Sequence, residues 1–430
     1  MGEQRGERVQ AGDSDDARTR HHALVQRLKD RAFLSDPRVE AAFRAVPRHL
    51  FLPDVPLETV YTDEAIATKK RDGLAISSSS QPTVMAIMLE QLGLQPGDHV
   101  LEIGAGTGYN AALMAHIVGP NGGVVAVDLD QDIVENARAH LTAAGYTDVQ
   151  VVRGDGARGY PEVAPYDRII LTVGAWDIAA AWVEQLRPGG RLVLPLALNG
   201  TVQKLVAFER REDHLASVSV QDGAFMPLRG IGAVPRAHFP LGGGRDLLLG
   251  VGVPRPVDTD AVYTLLTGPY EDLPTQIRTT AGELWGGVSL WLALHAPTMC
   301  SLVATGDGVR AAVPSPLSAS PGYGVTVGLL EEASLCLLAR VPDESPSAEA
   351  PFGLAIRNFG AGHQSAYRLV DLLHSWDQAG RPSSRGLRIR AYAKDSPPAT
   401  TPSALIIHKP RTHLMLDWEG DQMCSNDGSL

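Results

Sequence analysis

The sequence predicts an α/β protein: a doubly wound parallel sheet in its first half, followed by a smaller α+β region. Three observations carry this. Short apolar runs alternate with helical patterns from residue 99 to 194, the layout of strand–helix–strand units that build a parallel sheet. A glycine-rich turn, Gly104-Ala105-Gly106-Thr107-Gly108, joins the first of these strands to the first of these helices. Residues 227–256 then change character, with Gly242-Gly243-Gly244 and five prolines, which marks a boundary.

Taken in order, residues 1–20 are polar, mixed in charge and without an apolar core. They are expected to be a disordered lead and not a secretory signal. Asp36-Pro37 reads as an N-cap with proline in the first turn of a helix that ends at Val46-Pro47-Arg48. Residues 50–80 read as loop with short extended pieces, closing on Ser77, Ser78, Ser79 and Ser80. Gln81-Pro82 opens a helix with Val84, Met85, Met88, Leu89 and Leu92 at helical spacing. Strands are expected at 99–103, 124–128, 149–152, 168–172 and 191–194, with helices at 110–118, 133–144 and 178–186. The expected division is a lead at 1–20, a sheet domain at 21–230, a Gly/Pro-rich linker at 231–256 and a substrate-binding domain at 257–425. In that last region 284–294 is rich in Trp and Leu, 325–340 and 386–394 read as extended, and 363–378 as a helix. Pro342-Asp343-Glu344-Ser345-Pro346-Ser347 reads as an exposed loop.

Composition excludes several classes. The 430 residues carry a formal charge of −11, which argues against a general nucleic-acid binder. No run approaches the length of a membrane-spanning helix. Cys300, Cys336 and Cys424 lie far apart and form no metal spacing, which fits a reducing, cytoplasmic setting. No metal site is expected.

The chemistry centres on the glycine turn. Its glycines let the backbone turn sharply and let a ligand approach without a Cβ in the way. A dinucleotide fingerprint would place the third glycine one residue later; here it is Gly108, followed by Tyr109, and Glu102 precedes the turn. Asp128 ends the next strand, 26 residues after Glu102. In a doubly wound sheet the ligand lies across the carboxyl ends of the strands, so Asp128 can accept ribose hydroxyls, with Asp130 its near competitor. Gly154-Asp155-Gly156 follows the third strand, and Asp155 can reach an adenine amino group. Acidic groups at successive strand ends point to S-adenosyl-L-methionine, held by Glu102, Gly104, Ala105, Gly106, Thr107, Gly108, Tyr109, Asp128, Leu129, Asp155, Gly156 and Thr172.

Residues 24–230 resemble the protein-L-isoaspartate O-methyltransferase family. The resemblance rests on Val46-Pro47-Arg48, Ser80-Gln81-Pro82, Leu101 through Tyr109, Gly154-Asp155-Gly156, Tyr166 through Thr172, Gly189 through Val193 and Phe225 through Gly230. It implies a Rossmann-like class I methyltransferase domain dependent on S-adenosyl-L-methionine. It also implies that a serine before Gln-Pro holds the substrate carboxylate. Ser80 matches that position. Where the family shows Thr-Ile-Ser, however, this chain has Ala75-Ile76 and then four serines, so Ser78, Ser79 and Ser80 all stand as candidates. The chain is also about twice the family's usual length. In this it resembles the extended variants associated with lanthipeptide and graspetide biosynthesis. These methylate an aspartate in a constrained peptide, whose ester closes to an aspartimide that opens to isoaspartate. The alternative is repair of isoaspartyl proteins. Further rivals are a small-molecule methyltransferase and a non-catalytic module that binds the cofactor.

A carboxylate is already ionised at neutral pH and needs no base to attack a methyl sulfonium, which fits the lack of a His or Cys constellation. The expected partner is a peptide or protein bearing aspartate or isoaspartate, with no nucleic acid and no membrane. Arg388, Arg390, Lys394, Lys409 and Arg411 are candidates for gripping an acidic peptide.

Overall fold

A computed structural model describes residues 3–71, 74–199, 202–233, 238–244, 246–306, 317–320, 323–332, 334–341, 350–398 and 404–418. Cys424 and the expected loop at 342–347 lie outside them.

The chain begins with α1 (Glu3–Asp30), where a disordered lead was expected at 1–20. Ala17, His21, Leu24, Val25 and Leu28 are buried at three- and four-residue spacing, a stripe that seats the helix. The His21 ring contacts the Phe43 carbonyl at 2.6 Å. Helix α2 (Pro37–Ala45) starts as its sequence requires, with the Asp36 side chain accepting from Arg38 N–H. After a short turn at Arg48–Phe51 and α3 (Leu57–Val60), residues expected to be loop with short extended pieces form an antiparallel hairpin. Its strands are β1 (Ile66–Arg71) and β2 (Leu74–Ser79).

The doubly wound part follows: α4 (Pro82–Leu92), β3 (His99–Ile103), α5 (Tyr109–Val118), β4 (Gly123–Asp128), α6 (Gln131–Ala143), β5 (Gln150–Arg153), β6 (Tyr166–Leu171), α7 (Ala180–Gln185) and β7 (Leu186–Asn199). Strands β3 to β7 pair in parallel in the spatial order β7-β6-β3-β4-β5. Every strand expected here forms, though β7 runs on well past 194. Strands β8 (Val202–Arg210) and β9 (Leu215–Asp222) extend the sheet antiparallel. One face buries Leu89, Ala112, Val134 and Phe43 under α1, α2 and α4 to α6. The other buries Ile103, Leu171, Leu192 and Trp182.

The second half departs from a linker followed by a separate domain. Within 231–256 the chain makes β10 (His238–Pro240) and β11 (Leu247–Val251); Leu249 and Val251 are fully buried. These join β12 (Tyr270–Thr279), β13 (Met299–Thr305), β14 (Ser318–Ser320), β15 (Tyr323–Glu331), β16 (Ser334–Arg340) and β17 (Phe352–Phe359) in a second, antiparallel sheet. Helices α8 (Thr259–Thr267), α9 (Ala281–Glu283), α10 (Ser289–His295) and α11 (Gln364–Gln378) accompany it.

The last strands, β18 (Leu387–Ala393), β19 (Leu405–His408) and β20 (Thr412–Trp418), return to the first sheet. Strand β18 pairs Arg390 with Ala216 and Ala391 with Leu215 of β9. Leu387, Ile389, Ala391, Leu414 and Leu416 are buried in the same core as Leu192 and Phe208. Burying the apolar face of β18 is the physical reason for this return, because Arg388 and Arg390 alternate with it on the outer face.

Candidate active site

A cavity of about 250 Å³ opens at the carboxyl ends of β3, β4 and β6. The glycine turn forms its floor. Gly104 N–H and Ala105 N–H donate to the Val127 carbonyl at 2.8 and 3.2 Å, tying the turn to β4. Gly104 has φ +102°, and a Cβ there would come within 2.6 Å of Thr172 Oγ1. Thr172 uses that hydroxyl to donate to the Gly104 carbonyl at 2.6 Å.

Glu102 is fully buried beside the turn. Asn110 Nδ2 donates to its Oε1 at 2.8 Å, and Oε2 has no partner among the described residues. Burial pushes its carboxyl up to about 8, against the pull of the Asn110 hydrogen bond and with a further push from Asp128. Asp128 faces the same cavity. Its Oδ2 accepts from Gly106 N–H at 3.2 Å, and burial raises its carboxyl above the usual range. An orphaned carboxylate oxygen, a second carboxylate and a cradle free of Cβ atoms fit the polar head and ribose of a nucleoside ligand.

Ser78, Ser79 and Ser80 line another wall, the Ser78 carbonyl 3.5 Å from where a Cβ on Gly106 would lie. Arg48 stands behind them, fully buried, with Nη2 donating to Ser79 Oγ at 3.3 Å and to the Ser80 carbonyl at 3.0 Å. Residues 224–229 cross over from β9 to close the third side. They are pinned by Gly174 N–H to Met226 O at 2.7 Å and Leu228 N–H to Gly174 O at 2.8 Å.

Of the expected site residues, Glu102, Gly104, Ala105, Gly106, Thr107, Tyr109, Asp128, Leu129, Gly156 and Thr172 line this cavity together with the three serines. Two do not. A Cβ on Gly108 would meet the Ala137 carbonyl at 3.2 Å and Leu141, so this glycine serves the packing of α5 on α6. Asp155 turns away, its oxygens accepting from Ala157 N–H at 3.0 Å and Ile231 N–H at 2.8 Å. It ties residues 224–231 down instead of reaching the cavity. Asp130, the competitor for the ribose, is taken by Lys69 at 2.8 Å and by Arg229 at 3.1 and 3.2 Å. Burial alone would raise its carboxyl, but these hydrogen bonds hold it at about 2.

Sequence reasoning missed Asn110, Lys69 and Arg229. Asn110 follows Glu102 by eight residues across the turn, and only the turn's geometry reveals that the two side chains meet. Among the proposed peptide-gripping residues, Lys409 is buried, with its ammonium 3.4 Å over the Trp176 ring; burial takes it down to about 7. It braces the loop after β6, where Asp177 also accepts from Arg411 N–H at 2.7 Å and Thr412 Oγ1 at 2.6 Å. Arg390 pairs with Asp417 across the β18–β20 ladder.

The sequence profile of the protein-L-isoaspartate(D-aspartate) O-methyltransferase family matches residues 19–231. Over 219 residues the chain is 41% identical to protein-L-isoaspartate O-methyltransferase 2 of Archaeoglobus fulgidus, spanning 51% of this chain and 95% of that one. The chain belongs to this family. The protein-L-isoaspartate O-methyltransferase of Methanopyrus kandleri is also 41% identical, over 48% of this chain and 90% of its own. A solved protein-L-isoaspartate O-methyltransferase structure aligns over 86% of this chain and 96% of its own, at 25% identity and a TM-score of 0.46. This isoaspartate methyltransferase homologue is thus an enzyme dependent on S-adenosyl-L-methionine, with a class I Rossmann-like fold and a further sheet-rich region. No helix among the described residues is long and apolar enough to cross a membrane.

Proposed function

We propose that this enzyme, acting in the cytoplasm, methylates a side-chain aspartyl carboxylate in a constrained peptide. The observation that carries the transfer chemistry is the serine wall facing the glycine turn across a cavity whose lining contains no His, Cys or Lys. Such a wall of hydroxyls can orient an anion, which needs no proton removed before it attacks. S-adenosyl-L-methionine supplies an electrophilic methyl group on a sulfonium. Asp128 accepts the ribose hydroxyls, and the free Glu102 Oε2 meets the ligand's polar head. The serine hydroxyls hold one oxygen of the acceptor and leave the other bare, since hydrogen bonds to both would quench its nucleophilicity. Fixing the reacting atoms in line can supply on the order of 7–11 kcal/mol.

Support for a constrained peptide comes from the extension. Nearly half of the chain lies beyond the family match, and its last strands brace Asp177 beside the cavity-closing segment. An ester of aspartate then has methoxide as a leaving group, and the next backbone nitrogen can close the imide. Repair of isoaspartyl proteins is the second reading, favoured by the names of the relatives. A kinetic panel separates the two: an isoaspartyl peptide, a linear aspartyl peptide and its cyclised form, each followed by mass. Turnover on the cyclised aspartyl peptide, with methyl gain and then methanol loss, is expected. Turnover confined to the isoaspartyl peptide would establish the repair reading instead.

A further inference from the structure

We propose that Arg48 is a positioning residue that sets a fixed positive charge behind the Ser79 hydroxyl, so that the acceptor site selects an ionised carboxylate. This rests on the carboxyl-transfer reading above. Arg48 is completely buried, yet every acceptor it contacts is neutral. Nη1 donates to the carbonyls of Val60 at 2.8 Å and Thr62 at 3.2 Å. Nη2 donates to Glu64 O at 3.2 Å, Ser79 O at 3.4 Å, Ser79 Oγ at 3.3 Å and Ser80 O at 3.0 Å. Its Nε is buried without a partner among the described residues. The carboxylate that acts on it through space is Asp63, whose oxygens are taken by Thr83 N–H at 2.9 Å and Thr83 Oγ1 at 2.6 Å.

Buried charges are ordinarily paired, because desolvation without a counter-ion is strongly unfavourable. Arg48 has no carboxylate in hydrogen-bond contact and stands one hydroxyl away from a cavity that has to attract an anion. The contact also settles what Ser79 can do. Its oxygen accepts from the guanidinium, so its own O–H is free to donate, and Ser79 lines the cavity. A hydroxyl polarised by a cation in a low-dielectric site is a stronger donor. The Ser77 oxygen, by contrast, accepts from a neutral donor, Thr68 Oγ1, at 3.2 Å. Of the serine run, Ser79 is the one whose hydroxyl contacts the guanidinium, and so the one placed to carry its charge to the substrate. The same guanidinium joins residues 60–64 to residues 79–80, fixing the hydroxyl's position as well as its polarity.

The test compares two inhibitory probes with the full-length enzyme: a methyl-acceptor aspartyl peptide and its carboxamide isostere. Binding of S-adenosylhomocysteine is measured alongside by calorimetry. Wild type should prefer the carboxylate. Arg48→Met and Ser79→Ala should each weaken the carboxylate peptide at least about tenfold, while the carboxamide and S-adenosylhomocysteine stay within about twofold. The double variant should be no worse than the poorer single variant, and Arg48→Lys should recover part of the preference. If Arg48→Met does not fold, Ser79→Ala and Arg48→Lys carry the same comparison. Losses spread equally over all three ligands, or an unchanged preference in Ser79→Ala, would overturn the proposal. A wild type that binds S-adenosylhomocysteine but transfers methyl to no carboxylate would instead sink the carboxyl-transfer reading on which it rests.

Discussion

Glu102 concentrates the electrostatics of the site in one side chain. Its carboxyl lies at about 8 in the folded protein against the usual 4.5, so the fold favours the neutral form. The stability this gives is complete below about pH 4.5 and is lost as pH rises through about 8. Thermal melts without ligand should therefore fall across that window in the wild type and lose much of the slope in Glu102→Gln. A cationic ligand head at Oε2 would restore ionisation. Calorimetry in buffers of differing ionisation enthalpy should then show proton release on binding S-adenosylhomocysteine at neutral pH, absent in Glu102→Gln. Asp128→Ala removes charge-assisted hydrogen bonds and should weaken that ligand by about 10- to 100-fold. Asp155→Ala should act differently. It strands the Ala157 and Ile231 amides and should cost about 1–3 kcal/mol of stability in denaturant melts. A tenfold loss of ligand affinity at unchanged stability would return Asp155 to the cofactor. The strand-end spacing of acids was legible in the sequence; the direction in which each points was not. Asp155 turns away and accepts from Ile231 N–H, 76 residues later, a partner no local pattern specifies.

At the scale of elements, two sides of the cavity are latched together through one carboxylate. The β1–β2 hairpin brings Lys69 and the crossing segment brings Arg229 to one carboxylate, Asp130. That carboxyl lies at about 2, so the latch stays charged throughout the working pH range. It contributes stability above the usual carboxylate range that is lost only as pH falls toward 2. Asp130→Asn should therefore speed release of S-adenosylhomocysteine by about tenfold, a loss of ~1.4 kcal/mol, as read by stopped-flow fluorescence. An unchanged rate would mean that backbone contacts alone close the site. The periodic strands and helices of 82–194 were legible because each carries its own alternation or helical stripe. Of the hairpin only short extended pieces were legible, not their pairing: β1 is the irregular sequence Ile66-Ala67-Thr68-Lys69-Lys70-Arg71, mostly exposed on both faces, and its pairing depends on β2.

At the scale of the molecule, the extension and the methyltransferase share one sheet. Removing everything after residue 244 would take β18 and β20 away and expose the core around Leu215 and Phe208. Five buried apolar residues leave with these strands, at about 1.5–3 kcal/mol per large side chain, which is comparable to a domain's whole stability. The 1–244 fragment should melt at least about 10 °C lower than the full chain or fail to fold. Equal melting would show that the two parts are independent. This return was beyond sequence reasoning because Arg390 and Ala216 are paired across 174 positions, and no local pattern specifies such a partner. The central claim is that an aspartyl side-chain carboxylate receives the methyl group. Fragmentation mass spectrometry of a cyclised peptide, after incubation with the intact enzyme and methyl-labelled S-adenosyl-L-methionine, locates that group directly. The label is expected on the aspartyl side chain, followed by its loss as methanol; label on an amine or a chain terminus, or none despite cofactor binding, would overturn this assignment.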